Sequence, residues 1–275
     1  MIPVAFDYVK ATSAEEALAA LGEHGDEAKL LAGGQSLLPM MKFRLAYPEV
    51  IVDIGRLQDL SYVTDKGDHL AIGALTRHRD IETSVLVQEH APLLARVTSQ
   101  VGDPQVRNRG TIGGSLAHAD GAGDHPSAFL ALDASVVVSG PGGEREVSGA
   151  DLFAGFLESS LEPTEMIVEV KVPKATGFGW NYQKFNRRAQ DWAIVGVSAQ
   201  RTESGARVSL VNMHPTPTRA AGVEAAVASG ASAAEAAEVA AEGLSPSSDN
   251  NAGVEYRQHL ARVLTRRALN GAGIA

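Results

Sequence analysis

The chain has 275 residues, 44% of them hydrophobic and 21% charged, with a formal net charge of −9 at pH 7, the profile of an ordinary globular protein of two domains or one large one. That acidic balance excludes the basic footprint on which nucleic-acid binding depends. Without a cysteine, the chain cannot close a disulfide, ligate an iron–sulfur cluster or build a thiolate zinc site from its own side chains.

The opening MIPVAFDYVKATS lacks the basic and apolar regions of a secretory leader, and no stretch reaches the roughly 18 apolar residues of a membrane span, so the cytoplasm is the expected compartment. A first helix is predicted behind Ser13 as N-cap, with Glu16 three residues on, Ala17, Leu18 and Leu21 at helical spacing, and Gly22 or Gly25 as its stop. A short strand from Lys29 runs into the Gly33-Gly34 turn, a helix follows from Ser36 to Pro48, and EVIVDIGRL and HLAIGALTR read as strands. APLLARVTSQVG reads as a helix ending at Gly102 and HPSAFLALDA as another; SVVVSG, REVSG and EMIVEVKVP are strands. Beyond Gly179 come the strands WNYQKFN, WAIVGVSAQRT and RVSLVNM, the last two joined as a hairpin through Glu203-Ser204-Gly205, and then alanine- and arginine-rich helices. The change of pattern between Pro173 and Gly179 predicts a boundary between a mixed helix–strand domain and a smaller one.

Two segments stand out, LAGGQSLL and RNRGTIGGSLAHADGAGDHPSAF. Each carries a Gly-Gly pair followed closely by Ser-Leu, and bare backbone of this kind forms anion-binding nests as well as plain turns. Neither matches the dinucleotide fingerprint or the P-loop. Paired nests would suit a pyrophosphate, with Ser36, Thr111 and Ser115 as hydroxyl donors. His118, Asp120, Asp124 and His125 admit three readings: metal ligands, turn and cap residues with Asp124 capping the helix behind it, or carboxylate acceptors for the hydroxyls of a ribose or ribityl chain. In YQKFNRRAQDWA, Lys184 alternates with Tyr182 and Asn186 on one face and either is solvated or meets an anion or electron-poor ring; Trp192 is core or a stacking wall. No G-x-S-x-G or cysteine nucleophile supports hydrolysis.

LAGGQSLLPMMKFRLAYPEVIVDI and RNRGTIGGSLAHADGAGD closely resemble the two flavin-binding signatures of the medium, FAD-binding subunit of the molybdenum hydroxylases. That family includes aerobic carbon monoxide dehydrogenase, the xanthine dehydrogenases and bacterial dehydrogenases of nicotine and other N-heterocycles. The resemblance covers the whole chain. It implies an α+β fold: a PCMH-type FAD-binding domain like that of the vanillyl-alcohol-oxidase and MurB flavoproteins over residues 1–176, with subdomains of about 1–57 and 58–176, then a C-terminal domain over 177–275 with a three-stranded antiparallel sheet and helices. It places the FAD pyrophosphate on Ala32, Gly33, Gly34, Gln35 and Ser36, with Leu37 following, and on Thr111, Gly113, Gly114 and Ser115. His118 and Asp124 are implied along the ribityl and ribose portions, Ile167 near the adenine, Lys184 beside the flavin ring and Trp192 as a ring neighbour.

The resemblance further implies an oxidoreductase subunit. A small subunit with two [2Fe–2S] clusters delivers electrons, a large molybdopterin subunit hydroxylates the substrate, and a quinone, NAD or oxygen is the final acceptor, in a dimer of heterotrimers with Arg and aromatic side chains at the contacts. Many relatives carry His in place of Gln35 and Asn in place of Ser115; Gln35 favours an organic substrate such as an N-heterocycle over carbon monoxide. The benzoyl-CoA reductase branch, with its cysteine-rich insertion, is excluded by the lack of cysteine. A self-contained flavin oxidase and a non-enzymatic binding protein are the rival classes.

Overall fold

The computed structural model describes residues 2–275. The chain first forms β1 (Asp7–Lys10), α1 (Ala14–His24), β2 (Ala28–Leu31), α2 (Leu37–Lys42) and β3 (Val50–Asp53). Helix α1 begins where expected: Ser13 Oγ accepts the Glu16 amide at 3.2 Å, and Gly25, at φ +52°, closes it. A cap of this kind contributes about 1 kcal/mol. The three strands make a parallel sheet in the order β1-β3-β2, with Val50 opposite both Asp7 and Ala28. Parallel strands need a crossover, and α1 provides it, burying Ala17, Ala20 and Leu21 against Val50, Val52 and Ile54. Strand β1, short and largely exposed, has too little apolar alternation to be read from the sequence.

Helix α2 stops at Lys42 and does not continue to Pro48. Arg44 turns to φ +57°, and the Met40 carbonyl accepts the Leu45 amide at 2.9 Å, a Schellman-like closure with arginine where glycine is usual.

The next part holds β4 (Val63–Asp65), β5 (His69–Gly73), the short helices α3 (His78–Thr83), α4 (Val85–His90), α5 (Pro92–Thr98), α6 (Pro104–Arg107), α7 (Ile112–Ala117) and α8 (Asp124–Ala131), then β6 (Ser135–Gly140), β7 (Gly143–Ser148), α9 (Gly149–Leu152), β8 (Phe153–Gly155), β9 (Glu158–Ser159) and β10 (Met166–Pro173). Five strands pair antiparallel in the order β4-β5-β10-β6-β7. The register of β10 against β6 slips between Ile167 and Glu169. Leu70, Ile72, Val136, Val138, Val170 and Val172 face the helices from this sheet and form the largest core with Ile81, Leu93, Leu116 and Phe129.

Last come β11 (Trp180–Phe185), β12 (Val195–Thr202), β13 (Gly205–Val211) and the two-residue β14 (Thr218–Arg219), then α10 (Ala221–Ala228), α11 (Ala233–Glu238) and α12 (Val254–Gly271). The expected hairpin is present, with Thr202 opposite Gly205, and the three long strands gain β14 at one edge. Helix α12 buries Leu260, Ala261, Leu264, Ala268 and Leu269, the three-and-four spacing of a single helical face, onto this sheet. The last sheet is joined to the preceding core through β11: Tyr182 packs with that core, and Ser127 of α8 meets Ser198 of β12 at 2.8 Å.

Candidate functional site

Between these parts lies a cavity of about 570 Å³, well within the range of roughly 300–1,000 Å³ usual for small-molecule sites. All of the residues implied by the resemblance line it: Ala32 to Leu37, Thr111, Gly113, Gly114, Ser115, His118, Asp124, Ile167, Lys184 and Trp192. They come from the turn before α2, from α7 and the loop behind it, from the first residue of α8, from β10 and β11, and from the loop before β12.

The two Gly-Gly segments, alike in sequence, differ in structure. Residues 33–36 form an open turn with Gly34 at φ +73°, closed by the Gln35 side-chain amide donating to the Gly33 carbonyl at 3.3 Å. The amides of Gly33, Gly34, Gln35 and Ser36 find no acceptor among the described residues, and Ser36 makes no side-chain cap. Unpaired donors in a row on a cavity wall are suited to anionic oxygens. The other segment is not a nest. Gly113 and Gly114 lie in the first turn of α7, where Gly113 donates to Ala74 O at 2.9 Å, Gly114 to Thr111 Oγ1 at 3.3 Å and Ser115 to Thr111 O at 3.0 Å. Thr111, read as a donor to ligand, is the N-cap of this helix.

These glycines are required by close packing. A Cβ on Gly33 would sit 2.2 Å from Arg109 O, one on Gly110 2.5 Å from the His78 ring, and one on Gly113 2.6 Å from Ala74 Cβ. The first glycine turn therefore rests directly on the chain that leads into the second. Arg77 holds the same junction, donating to Gly55 O at 3.1 Å and to Arg109 O.

The polar wall centres on Asp124, 7% exposed. As the first residue of α8 it does not cap that helix, whose N-cap is Gly123. Its Oδ2 accepts from Lys184 Nζ at 2.8 Å and its Oδ1 from the Tyr182 hydroxyl, so alternation along β11 brings both donors to one carboxylate. Burial pushes the Asp124 carboxyl above its ordinary range, and the Lys184 charge pulls against that push. Lys184 gives a second proton to Gln100 O at 2.9 Å, which leaves its third for the cavity. Behind this pair, His125 lies 4.2 Å from His78, ring centre to ring centre. Burial lowers the His125 pKa to about 4, with the Lys184 charge adding to the effect; burial likewise drives His78 well below the usual imidazole value. His78 Nδ1 is buried without a partner. Burial also lowers His118.

Asp120 does act as a turn residue, accepting the Ala122 amide at 2.9 Å. With Asp124 engaged by Lys184 and Tyr182 and His125 by Thr98 and Ser115, the metal reading has no ligand set: among the described residues no three ligating side chains converge. Trp192 is not core; it is 70% exposed at the rim of the cavity, on a loop, since β12 begins only at Val195. Sequence reasoning missed Arg77 and His78. The segment ALTRHRD behind an apolar strand carries one histidine among common surface charges and gives no distinguishing signal.

Free amides at residues 33–36, a lysine with one uncommitted proton and a cavity of this volume define a site for a large anionic cofactor, and they fit FAD. The profile of the FAD binding domain in molybdopterin dehydrogenase matches residues 4–175, and that of the CO dehydrogenase flavoprotein C-terminal domain matches residues 180–272. The chain is 41% identical to the carbon monoxide dehydrogenase medium chain of Hydrogenophaga pseudoflava, covering 99% of this chain and 98% of that one, and 36% identical to the nicotine 6-hydroxylase medium subunit of Paenarthrobacter nicotinovorans, covering 98% of each. Among solved structures, the Hydrogenophaga pseudoflava carbon monoxide dehydrogenase superposes with a TM-score of 0.96 over all of both chains at 41% identity, and quinoline 2-oxidoreductase from Pseudomonas putida 86 with a TM-score of 0.92 over 99% of each at 32% identity. The chain belongs to the FAD-binding medium-subunit family of the molybdenum hydroxylases and is an oxidoreductase subunit. Both of these relatives are named as a medium chain or subunit, and among the described residues no helix is long and apolar enough to cross a membrane.

Proposed function

We propose that this chain is the electron-transfer subunit of a cytoplasmic dimer of heterotrimers, receiving electrons from a small [2Fe–2S] subunit while a large molybdopterin subunit hydroxylates an organic substrate such as an N-heterocycle. Bound FAD supplies the chemistry of taking electrons singly and handing them on in pairs, to a quinone, NAD or oxygen. The observation that carries the reading is the run of unpaired amides at residues 33–36 on the wall of a cavity that Lys184 also lines. In this reading residues 1–176, in two subdomains of about 1–57 and 58–176, hold the cofactor, and residues 177–275 add the wall bearing Lys184 and Trp192.

Each residue has a distinct task. The amides of 33–36 bind the pyrophosphate, and Ala32, Leu37, Gly113 and Gly114 shape the passage beside it. His118, neutral through burial, and Asp124 face the polyol and ribose hydroxyls, and Ile167 supplies apolar contact for the adenine. Lys184 is held by Asp124 and Gln100 with a proton aimed at the negative charge that a reduced ring carries. Phe185, Trp192 and Tyr256 are exposed, with Phe185 and Tyr256 packed edge to face at 6.4 Å, which supports a partner surface beside the rim.

A second reading, with carbon monoxide as the substrate of the large subunit, has the 41% identity to a carbon monoxide dehydrogenase medium chain in its favour. One experiment addresses both. The chain is purified with whatever co-purifies, its chromophore released and identified, and the complex assayed with carbon monoxide and with N-heterocycles. FAD with turnover only in the presence of large and small partners is expected; turnover by this chain alone would point to a flavin oxidase instead.

A further inference from the structure

We propose that Thr98, His125 and Ser115 form a hydrogen-bond relay of fixed direction, which turns the Ser115 hydroxyl into an acceptor toward the cavity, fitted to a hydroxyl of the FAD ribityl chain and unsuited to a phosphate oxygen. This rests on the FAD reading above and goes beyond it, since the sequence offers Ser115 only as a donor near the pyrophosphate.

The direction is set at the buried end. A backbone carbonyl can only accept, and Thr98 Oγ1 lies 2.7 Å from Leu94 O, so the one hydroxyl proton of Thr98 is committed there. Thr98 is fully buried in α5, and its hydroxyl meets only the Leu94 carbonyl and the His125 ring. Its Oγ1 lies 3.1 Å from His125 Nε2. With its proton engaged, Thr98 can only accept, so the imidazole proton is on Nε2. A neutral imidazole carries one proton, and His125, 1% exposed, stays neutral at ordinary pH. Nδ1 is therefore a lone pair. Ser115 Oγ lies 3.3 Å from it and donates.

Ser115 has then no proton left. What it shows the cavity, which it lines from α7, is a pair of oxygen lone pairs. A phosphate oxygen of FAD is itself an acceptor and carries no proton at neutral pH, so it would meet Ser115 with repulsion; a ribityl hydroxyl would donate. Its bond to His125 ties Ser115 to the start of α8, where Asp124 holds Lys184, the wall where the polyol reaches the ring in the proposed pose. Thr98 and His125 touch no ligand themselves: they are positioning residues, acting through Ser115.

Two measurements on the full chain test this. The first uses no cofactor: histidine labelled with ¹⁵N in the flavin-stripped protein, read by long-range ¹H–¹⁵N correlation and assigned by the signals lost in His125→Gln. Nε2 protonated and Nδ1 bare are expected; Thr98→Val should shift the tautomer balance and Thr98→Ser should restore it. A proton on Nδ1 in the wild-type chain would overturn the relay. The second titrates wild type and Ser115→Ala with FAD and with analogues lacking the 2′, 3′ or 4′ ribityl hydroxyl. One analogue should bind wild type about five-fold more weakly than FAD does, the usual effect of one hydrogen bond, and show no such loss in Ser115→Ala. Equal losses in both proteins for every analogue would overturn the assignment of Ser115 to the ribityl chain. A chain that took up neither FAD nor any analogue would overturn the FAD reading and the ligand half of the proposal with it, while the nitrogen shifts would still decide the relay.

Discussion

GGQSLL and GGSLAH differ by little on paper, yet the first is an open turn with its amides unpaired and the second is the start of a helix with its amides engaged. The same residue type meets two different needs. At 33–36 missing side chains leave donors accessible, with Gly34 taking φ +73°; at 110 and 113 they let chain lie against chain, on His78 and Ala74. A glycine pair in a sequence thus says that something comes close, without saying whether it is a ligand or the protein's own backbone.

The sharpest test of that distinction is Gly33→Val, because Gly33 belongs to both classes. Its Cβ would fall 2.2 Å from Arg109 O, so the substitution should both abolish FAD retention and lower stability by about 1–3 kcal/mol, as overpacking does. Flavin content and a thermal melt read the two effects. An intact melt with lost flavin would return Gly33 to a purely ligand-facing role.

Lys184→Met should cost more stability than Gly33→Val but less flavin. Breaking a buried ion pair from one side costs about 3–5 kcal/mol, and both partners are nearly inaccessible here, with side-chain exposures of 4% and 6%. The melt should drop accordingly, and in protein that keeps its flavin the reduction potential should become more negative, since a cation that favours the reduced ring has gone. A potentiometric titration checks the sign.

The buried imidazoles give a pH signature. His125 takes up its proton only near pH 4 in the folded chain but near 6.5 when unfolded. As pH falls from about 6.5 to 4 the unfolded state gains a proton that the folded state refuses, so stability present above 6.5 is lost over that window, by at most about 3 kcal/mol. His78 and His118, lowered for the same reason, act in the same direction. Denaturant melts at pH 7 and pH 5 should separate, and His125→Gln should narrow the gap.

The smallest expected effect compares Gly34→Ala with Gly114→Ala. The first forces a side chain to φ +73°, at a cost of about 1–2 kcal/mol, and should weaken FAD binding. The second gains helix propensity of up to about 1 kcal/mol against a contact of 2.8 Å with the Thr111 hydroxyl, so its net effect on stability should be close to zero. Paired flavin titrations and melts would show whether the turn or the helix is the more demanding wall.

Much of this was legible beforehand where local signals and tertiary packing agree. Ser13, the Glu203-Ser204-Gly205 hairpin and the apolar strands around Ile72 and Val170 fall as their residues dictate. Reading failed where packing overrode propensity. Gly113 and Gly114 are poor helix formers, yet the Thr111 cap and the contact with Ala74 hold them helical. Asp124 looks like a cap in the sequence, and only the return of β11 from some sixty residues later gives its carboxylate Tyr182 and Lys184. The resemblance to a family gathered the lining residues, but the Arg77 bridge and the His78–His125 stack leave no local pattern to find.

Arg77 reaches across to Gly55 O on one side and Arg109 O on the other, and Gly33 already touches the Arg109–Gly110 segment. The walls of the cavity are therefore a preset mould whose shape is fixed by the chain itself. A ligand entering such a mould loses its own freedom but imposes little ordering on its host, which keeps binding tight for the contacts made. It also makes the cofactor exchangeable: the protein should survive being emptied and accept a replacement without refolding.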